Sequence, residues 1–175
     1  MAEAMDWVEV LEAPCPFCGA APAELRPEAL PGELRAEAAR WETVLSAADD
    51  DAVRAKPEDG SWSALEYGCH VRDVLFHQRT RIGQTQVEDE PEFGWWDHDA
   101  AAVDEHYNEQ DPVAVGGDLA ANTEWLAGTL ALVEGDEWDR AGTRGDGARM
   151  TVAGIGRFTF HEMAHHRWDA EARLG

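Results

Sequence analysis

The sequence predicts an all-α fold: a four-helix bundle with a crossover connection, plus a short hairpin before the last helix. Three observations carry that expectation. Four segments of about 17–25 residues repeat apolar side chains every three or four positions, the spacing of one face of an α-helix. Helix-start signals, Ser63-x-x-Glu66 and Asp111-Pro112, stand before two of them. The connection between the second and third helices is long and the others are shorter, which permits a crossover in place of an up-down-up-down order. At 175 residues the chain is expected to be one such domain over residues 29–175, preceded by an N-terminal arm over residues 1–28.

The arm has no helical period. It holds several prolines and the segment Cys15-Pro16-Phe17-Cys18-Gly19, and reads as extended chain with a tight turn. The first helix is expected over 29–48, with Leu30, Leu34, Ala38, Trp41 and Leu45 as its apolar stripe. Asp49-Asp50-Asp51 ends it, and a loop with Pro57, Asp59 and Gly60 follows. The second helix starts at Ser63, whose pairing with Glu66 satisfies two orphan backbone donors, and runs to 87. Tyr67, His70, Val74, His77 and Arg81 share one of its stripes.

Residues 88–110 form the long connection, with Trp95-Trp96-Asp97 and a short helix over Asp99–Tyr107. A connection of this length in a compact domain is more often functional or crossing than idle. The third helix opens at Asp111-Pro112, with Val115, Leu119, Asn122, Leu126, Leu130 and Val133 on one stripe. Asp146-Gly147 favours a hairpin turn within 140–150, and the Arg144-Gly145-Asp146 tripeptide reads as part of that turn rather than an adhesion motif. The fourth helix is expected over 151–172, with Gly154, Phe158, His161, His165 and Trp168 on its inward stripe.

The formal charge is -22, from 36 acidic and 14 basic residues, with Lys56 the single lysine. Such a surface repels phosphates, so neither nucleic acid nor an anionic membrane is an expected partner. No apolar window reaches transmembrane length, and the acidic start MAEAMDWVEV lacks the pattern of a secretory signal. Three cysteines make no disulfide framework, and the expected location is cytoplasmic.

The chemistry-bearing residues are histidines. His161 and His165, at i and i+4, project from one helical face, the spacing that offers two nitrogen ligands to one metal ion. His70 lies on the inward stripe of the second helix and supplies a third. Buried imidazoles without partners would each cost about 1–3 kcal/mol, so three of them in one interior favour a shared cation. His166 is turned about 100° from His165 and is expected to flank the site. Asp73, one turn past His70, is a candidate to orient that imidazole or to act as a base. His77 is a weaker pocket candidate, and Cys69 reads as a buried structural thiol. Cys15 and Cys18 form a single C-x-x-C. It is open to three readings: a zinc half-site completed by histidine, a labile disulfide, or plain turn cysteines.

The segments WSALEYGCHVRDVL (Trp62 to Leu75) and FHEMAHHRWDA (Phe160 to Ala170) resemble the DinB family of the metal-dependent thiol-transferase superfamily. CPFCG, WWDHDA and NEQDP resemble a branch seen in mycothiol-producing bacteria, so the likeness covers nearly the whole chain. The family pattern of one histidine on helix two and H-x-x-x-H on helix four falls on His70, His161 and His165. The resemblance implies a bundle with a crossover and a divalent metal, zinc or nickel, on these three residues. It also implies a low-molecular-weight thiol such as mycothiol as cofactor. The family's name reflects DNA-damage induction and implies no DNA binding. The N-terminal C-x-x-C is no part of its core pattern.

The function expected from residues and resemblance together is a metal-dependent S-transferase acting on a small electrophile. His70, His161 and His165 would be the ligands and Asp73 the proton acceptor. Trp95, Trp96 and Arg81 would be pocket walls or anchors. Coordination lowers a thiol's pKa because the cation stabilises the anion. Two other classes stay open: a non-catalytic metal- or small-molecule-binding stress protein, and a metal-dependent hydrolase. A homodimer is compatible with any of the three.

Overall fold

A computed structural model of the chain describes residues 9–47 and 49–175. The opening segment, including most of MAEAMDWVEV, and residue 48 lie outside the described residues. Four long helices make the bundle: α1 (Leu30–Ala47), α3 (Ala64–Val87), α5 (Pro112–Leu130) and α6 (Val152–Leu174). Two short helices, α2 (Asp50–Arg54) and α4 (His98–Asp104), lie in the connections, and an antiparallel hairpin of β1 (Ala141–Thr143) and β2 (Arg149–Thr151) precedes α6. No helix among the described residues is long and apolar enough to cross a membrane.

Each start signal is realised as hydrogen bonds. The Ser63 amide donates to Glu66 Oε2 (2.9 Å) and the Glu66 amide donates to Ser63 Oγ (3.1 Å), closing the capping box of α3. Asp111 Oδ1 accepts from the amides of Val113 and Ala114 at the start of α5, with Pro112 in the first turn. The acids expected to end the first helix start another: Asp49 caps α2, accepting from the Asp51 amide at 3.2 Å.

In cross-section α1 packs against α5 and α6, and α3 packs against the same two helices. Consecutive long helices α1 and α3 are therefore diagonal, as are α5 and α6. The diagonal steps fall at α1→α3 and α5→α6. The long connection over 88–111, where a crossover was expected, joins neighbours. Leu34, Trp41, Leu65, Leu75, Leu119, Leu126 and Ile155 fill the centre, each fully buried or nearly so. Trp41 also donates from Nε1 to the Met163 carbonyl (2.9 Å), tying α1 to α6 without leaving the indole N–H unpaired.

Helix α6 has almost no solvent face over its first fifteen residues. Two bundle helices cover part of it, and the N-terminal arm covers another part with short 3₁₀ turns at Glu9–Leu11, Pro22–Glu24 and Pro27–Ala29. Arg157 clamps the arm by donating from Nη2 and Nε to the Leu25 carbonyl (2.8 and 3.1 Å). A helix enclosed in this way can present functional side chains on two faces at once.

Candidate functional site

Four residues of the α3 stripe predicted from spacing, Tyr67, His70, Val74 and Arg81, line a cavity of about 610 Å³, joined by Gln78, whereas His77 of that stripe does not line it. Across it, α6 presents Phe158, Glu162 and His166, three residues at i, i+4 spacing. The long connection closes the side. The amides of Phe93 and Thr143 pair with the carbonyls of Thr143 and Pro91 (2.8 Å each), fixing it to the hairpin. Trp95, Trp96 and His98 then reach the cavity, as does the hairpin turn through Arg144 and Asp146.

At the inner end, the Glu162 carboxylate stands between two imidazoles. Its Oε2 lies 3.3 Å from His70 Nε2 and 3.6 Å from His166 Nε2. All three side chains are buried. The His70 and His166 rings meet edge-on at 4.8 Å, Trp96 stacks parallel to His70 at 5.6 Å, and Tyr67 stacks on His166 at 5.3 Å. Behind His166, Nδ1 lies 3.1 Å from Asp169 Oδ2. Burial works against a charge on His166, but its bonds to Asp169 and Glu162 raise its pKa to about 9. Burial likewise works against the Glu162 carboxylate, yet His166 and His70 hold it well below the usual carboxylate range. Burial pushes His70 down, so that imidazole is neutral at pH 7.

This arrangement suits a cation. One nitrogen or oxygen atom from each of His70, Glu162 and His166 lies within 4.8 Å of the others. The donor set is two imidazoles and a carboxylate, with an acid behind one imidazole to fix its tautomer. Without a metal, the proton on His166 balances the buried carboxylate.

The structure divides the expected triad. His70 belongs to this cavity, whereas His161 and His165 converge on the other side of α6 with Cys15 and Cys18 of the arm. Cys15 Sγ lies 3.5 Å from His165 Nδ1. The reason is helical phase. Positions 158, 162 and 166 face α3, and positions 161 and 165, about 100° away from 162 and 166, face the arm. His166, expected to flank the site, is one of its central residues. The sequence signal for it was present: Glu162-x-x-x-His166 has the same spacing as His161-x-x-x-His165, shifted by one residue.

Asp73, expected as the proton acceptor, is engaged elsewhere. Its carboxylate accepts from Arg72 Nε (2.7 Å), Arg72 Nη2 (3.0 Å) and the Tyr107 hydroxyl (2.5 Å), and it does not line the cavity. Those partners turn its carboxylate toward Arg72 and Tyr107 and away from the cavity. His77 stacks on Trp96 at 4.3 Å and supports the wall from behind. Trp95, Trp96 and Arg81 line the cavity. Cys69 is buried, its thiol donating toward the Tyr107 carbonyl at 3.6 Å, and burial pushes its pKa up to about 12. Sequence reasoning missed Trp62, His98 and Arg144, which reach the cavity only through the folding of connections.

Comparison with known proteins agrees with this architecture. YfiT from Bacillus subtilis, described as a probable metal-dependent hydrolase with an unusual four-helix bundle topology, superposes with a TM-score of 0.75 at 17% identity, covering 85% of this chain and 87% of YfiT. That likeness is one of fold. No curated protein matches the chain. Residues 33–170 match the DinB superfamily, and with the bundle and its diagonal helix order already established, the chain belongs to that superfamily.

Proposed function

We propose that the protein is a metal-dependent enzyme whose reaction centre is His70, Glu162 and His166, and that it uses a low-molecular-weight thiol such as mycothiol to attack a small electrophile. The observation that carries this reading is the convergence of two imidazoles and a buried carboxylate at the inner end of a cavity of about 610 Å³. That volume falls in the range of small-molecule sites. A divalent cation held by these three residues would supply open coordination positions and acidify a thiol bound there.

The chain's own residues account for the remaining requirements. Asp169 orients His166 through Nδ1, and Trp96 restrains His70 by stacking. Trp62 and Phe158 give the cavity apolar wall, which excludes water from a thiolate. Arg81 places a cation on the wall of a protein whose charge is -22, which suits an electrophile bearing an anionic group, while Arg144 beside it is paired with Asp146 at 2.5 Å. Asp73 has no part in the reaction, since Arg72 and Tyr107 occupy its carboxylate.

A hydrolase is the second reading. Two histidines and a glutamate form a ligand set used by hydrolytic zinc sites, and YfiT carries a description as a probable metal-dependent hydrolase. The test is to load tag-free protein with zinc or nickel and assay thiol consumption with a model electrophile, for wild type and His70→Ala. Metal-dependent thiol conjugation lost in His70→Ala supports the transferase. Thiol-independent ester cleavage with the same dependence moves the assignment to the hydrolase. Neither activity in protein that binds metal overturns both.

A further inference from the structure

We infer a second metal site, distinct from the reaction centre: a closed Cys2His2 zinc site formed by Cys15, Cys18, His161 and His165, which staples the N-terminal arm to α6. One donor atom from each of the four residues lies within 4.8 Å of the others. Cys15, His161 and His165 are buried and Cys18 is half-buried. Both cysteines are free thiols.

Local backbone chemistry builds the cysteine half. Cys15-x-x-Cys18 is a tight turn in which the Gly19 amide donates to the Cys15 carbonyl (3.0 Å) and the Cys15 amide donates to the Ala20 carbonyl (2.8 Å). Gly19 sits at φ +74°, the left-handed region open to glycine, so the chain reverses just after the second thiol. The other half is His161-x-x-x-His165 on one face of α6. The combined spacing, C-x2-C with H-x3-H, is that of structural zinc sites, here with its halves at opposite ends of the chain.

The chemistry selects zinc and a structural role. Two soft thiolates with two imidazoles favour a tetrahedral ion, and four protein ligands leave no open position for substrate. The four residues do not line the cavity of the reaction centre. Support behind the ligands is in place: Asp169 Oδ2 lies 3.5 Å from His165 Nε2, opposite the Nδ1 that faces Cys15. Phe17 packs its ring edge-on to His165 at 6.1 Å, shielding the thiol side. Such an ion would lock the arm over a face of α6 that lies about 100° around the helix from Glu162 and His166. Metal binding at one face thus fixes the helix that supports the other.

The test uses full-length, tag-free protein, reduced and handled without oxygen, titrated with cobalt(II) as a spectroscopic probe for zinc. Wild type is expected to bind two ions per chain and to develop a thiolate-to-cobalt charge-transfer band with intense tetrahedral ligand-field bands. Cys15→Ser/Cys18→Ser should lose one ion and all of the thiolate band. Cys18→His, which keeps four ligands, should keep the ion with a weakened band and serves if the double variant fails to fold. His70→Ala/Glu162→Gln should lose the other ion and keep the band, so failure of the reaction centre and failure of this site are separable. Limited proteolysis should cut the arm faster in the cysteine variant or after chelation. No thiolate band in reduced wild type, full metal content in Cys15→Ser/Cys18→Ser, or loss of the band in the His70/Glu162 variant would each overturn the proposal.

Discussion

Glu162 Oε2 of α6 lies 3.3 Å from His70 Nε2 of α3, with both side chains only 5% exposed. A carboxylate so placed must be balanced, and in the metal-free protein the balance comes from protonated His166 at the same oxygen. His166→Leu should therefore leave an uncompensated buried charge. Breaking one half of a buried pair costs about 3–5 kcal/mol, and urea unfolding of metal-free protein at pH 7 should register a loss of that order. His166→Leu/Glu162→Gln removes both charges and should recover much of it. Equal stability of the single and double variants would mean that Glu162 and His166 do not interact.

Asp169 stands behind both proposed metal sites, 3.1 Å from His166 Nδ1 and 3.5 Å from His165 Nε2. Asp169→Asn keeps the shape and removes the charge that holds both imidazoles in a ligating tautomer. Changes to such outer partners weaken metal binding about 10–100-fold. Competition with a coloured chelator should reveal that loss in two binding phases. A change confined to the phase that also disappears in His70→Ala would restrict Asp169 to the reaction centre.

The residues that were legible in the sequence are those whose surroundings are local or one-sided. The Ser63–Glu66 box and the Asp111-Pro112 start act within four residues, and both are realised. Helix α3 has one functional stripe, so spacing alone put Tyr67, His70, Val74 and Arg81 on the cavity wall. Helix α6 defeated the same argument because the arm and two helices enclose it, leaving no polar face from which to read its rotation. The residues at 161 and 165 and those at 162 and 166 were equally inward. The union of Cys15 and Cys18 with His161 and His165 depends on the arm's path, which no periodicity encodes.

Gly142 in β1 marks how tightly the cavity wall is joined to the hairpin. A Cβ there would fall 2.7 Å from the Pro91 carbonyl oxygen and into the Phe93 ring. Gly142→Ala must push the long connection away, at the about 1–3 kcal/mol typical of overpacking. Gly83→Ala is the control: this exposed position in α3 has nothing within 4 Å of a new Cβ. It should gain about 0.5–1 kcal/mol from helix propensity. Urea unfolding of the two variants should thus shift in opposite directions, and a neutral Gly142→Ala would show that the Pro91–Thr143 pairing is not rigid.

Tyr107 gives a pH dependence that involves none of the proposed metal ligands. Burial raises its pKa above the ordinary 10, and its hydrogen bond to Asp73 and the charge of that carboxylate raise it further. A group whose folded pKa is raised contributes stability that is complete below its unfolded value and is lost as pH climbs past it. The chain has two tyrosines, so a Tyr67→Phe background isolates Tyr107. Its tyrosinate absorbance should stay absent in folded protein at pH 10, where the urea-unfolded chain is about half ionised. Asp73→Asn should bring the folded-state titration down toward the ordinary value, since it removes both the charge and the strong acceptor. Tyr107→Phe should flatten the loss of urea stability that begins as pH approaches 10. A folded protein that titrates freely at pH 10 with Asp73 intact would contradict the contact between these two side chains.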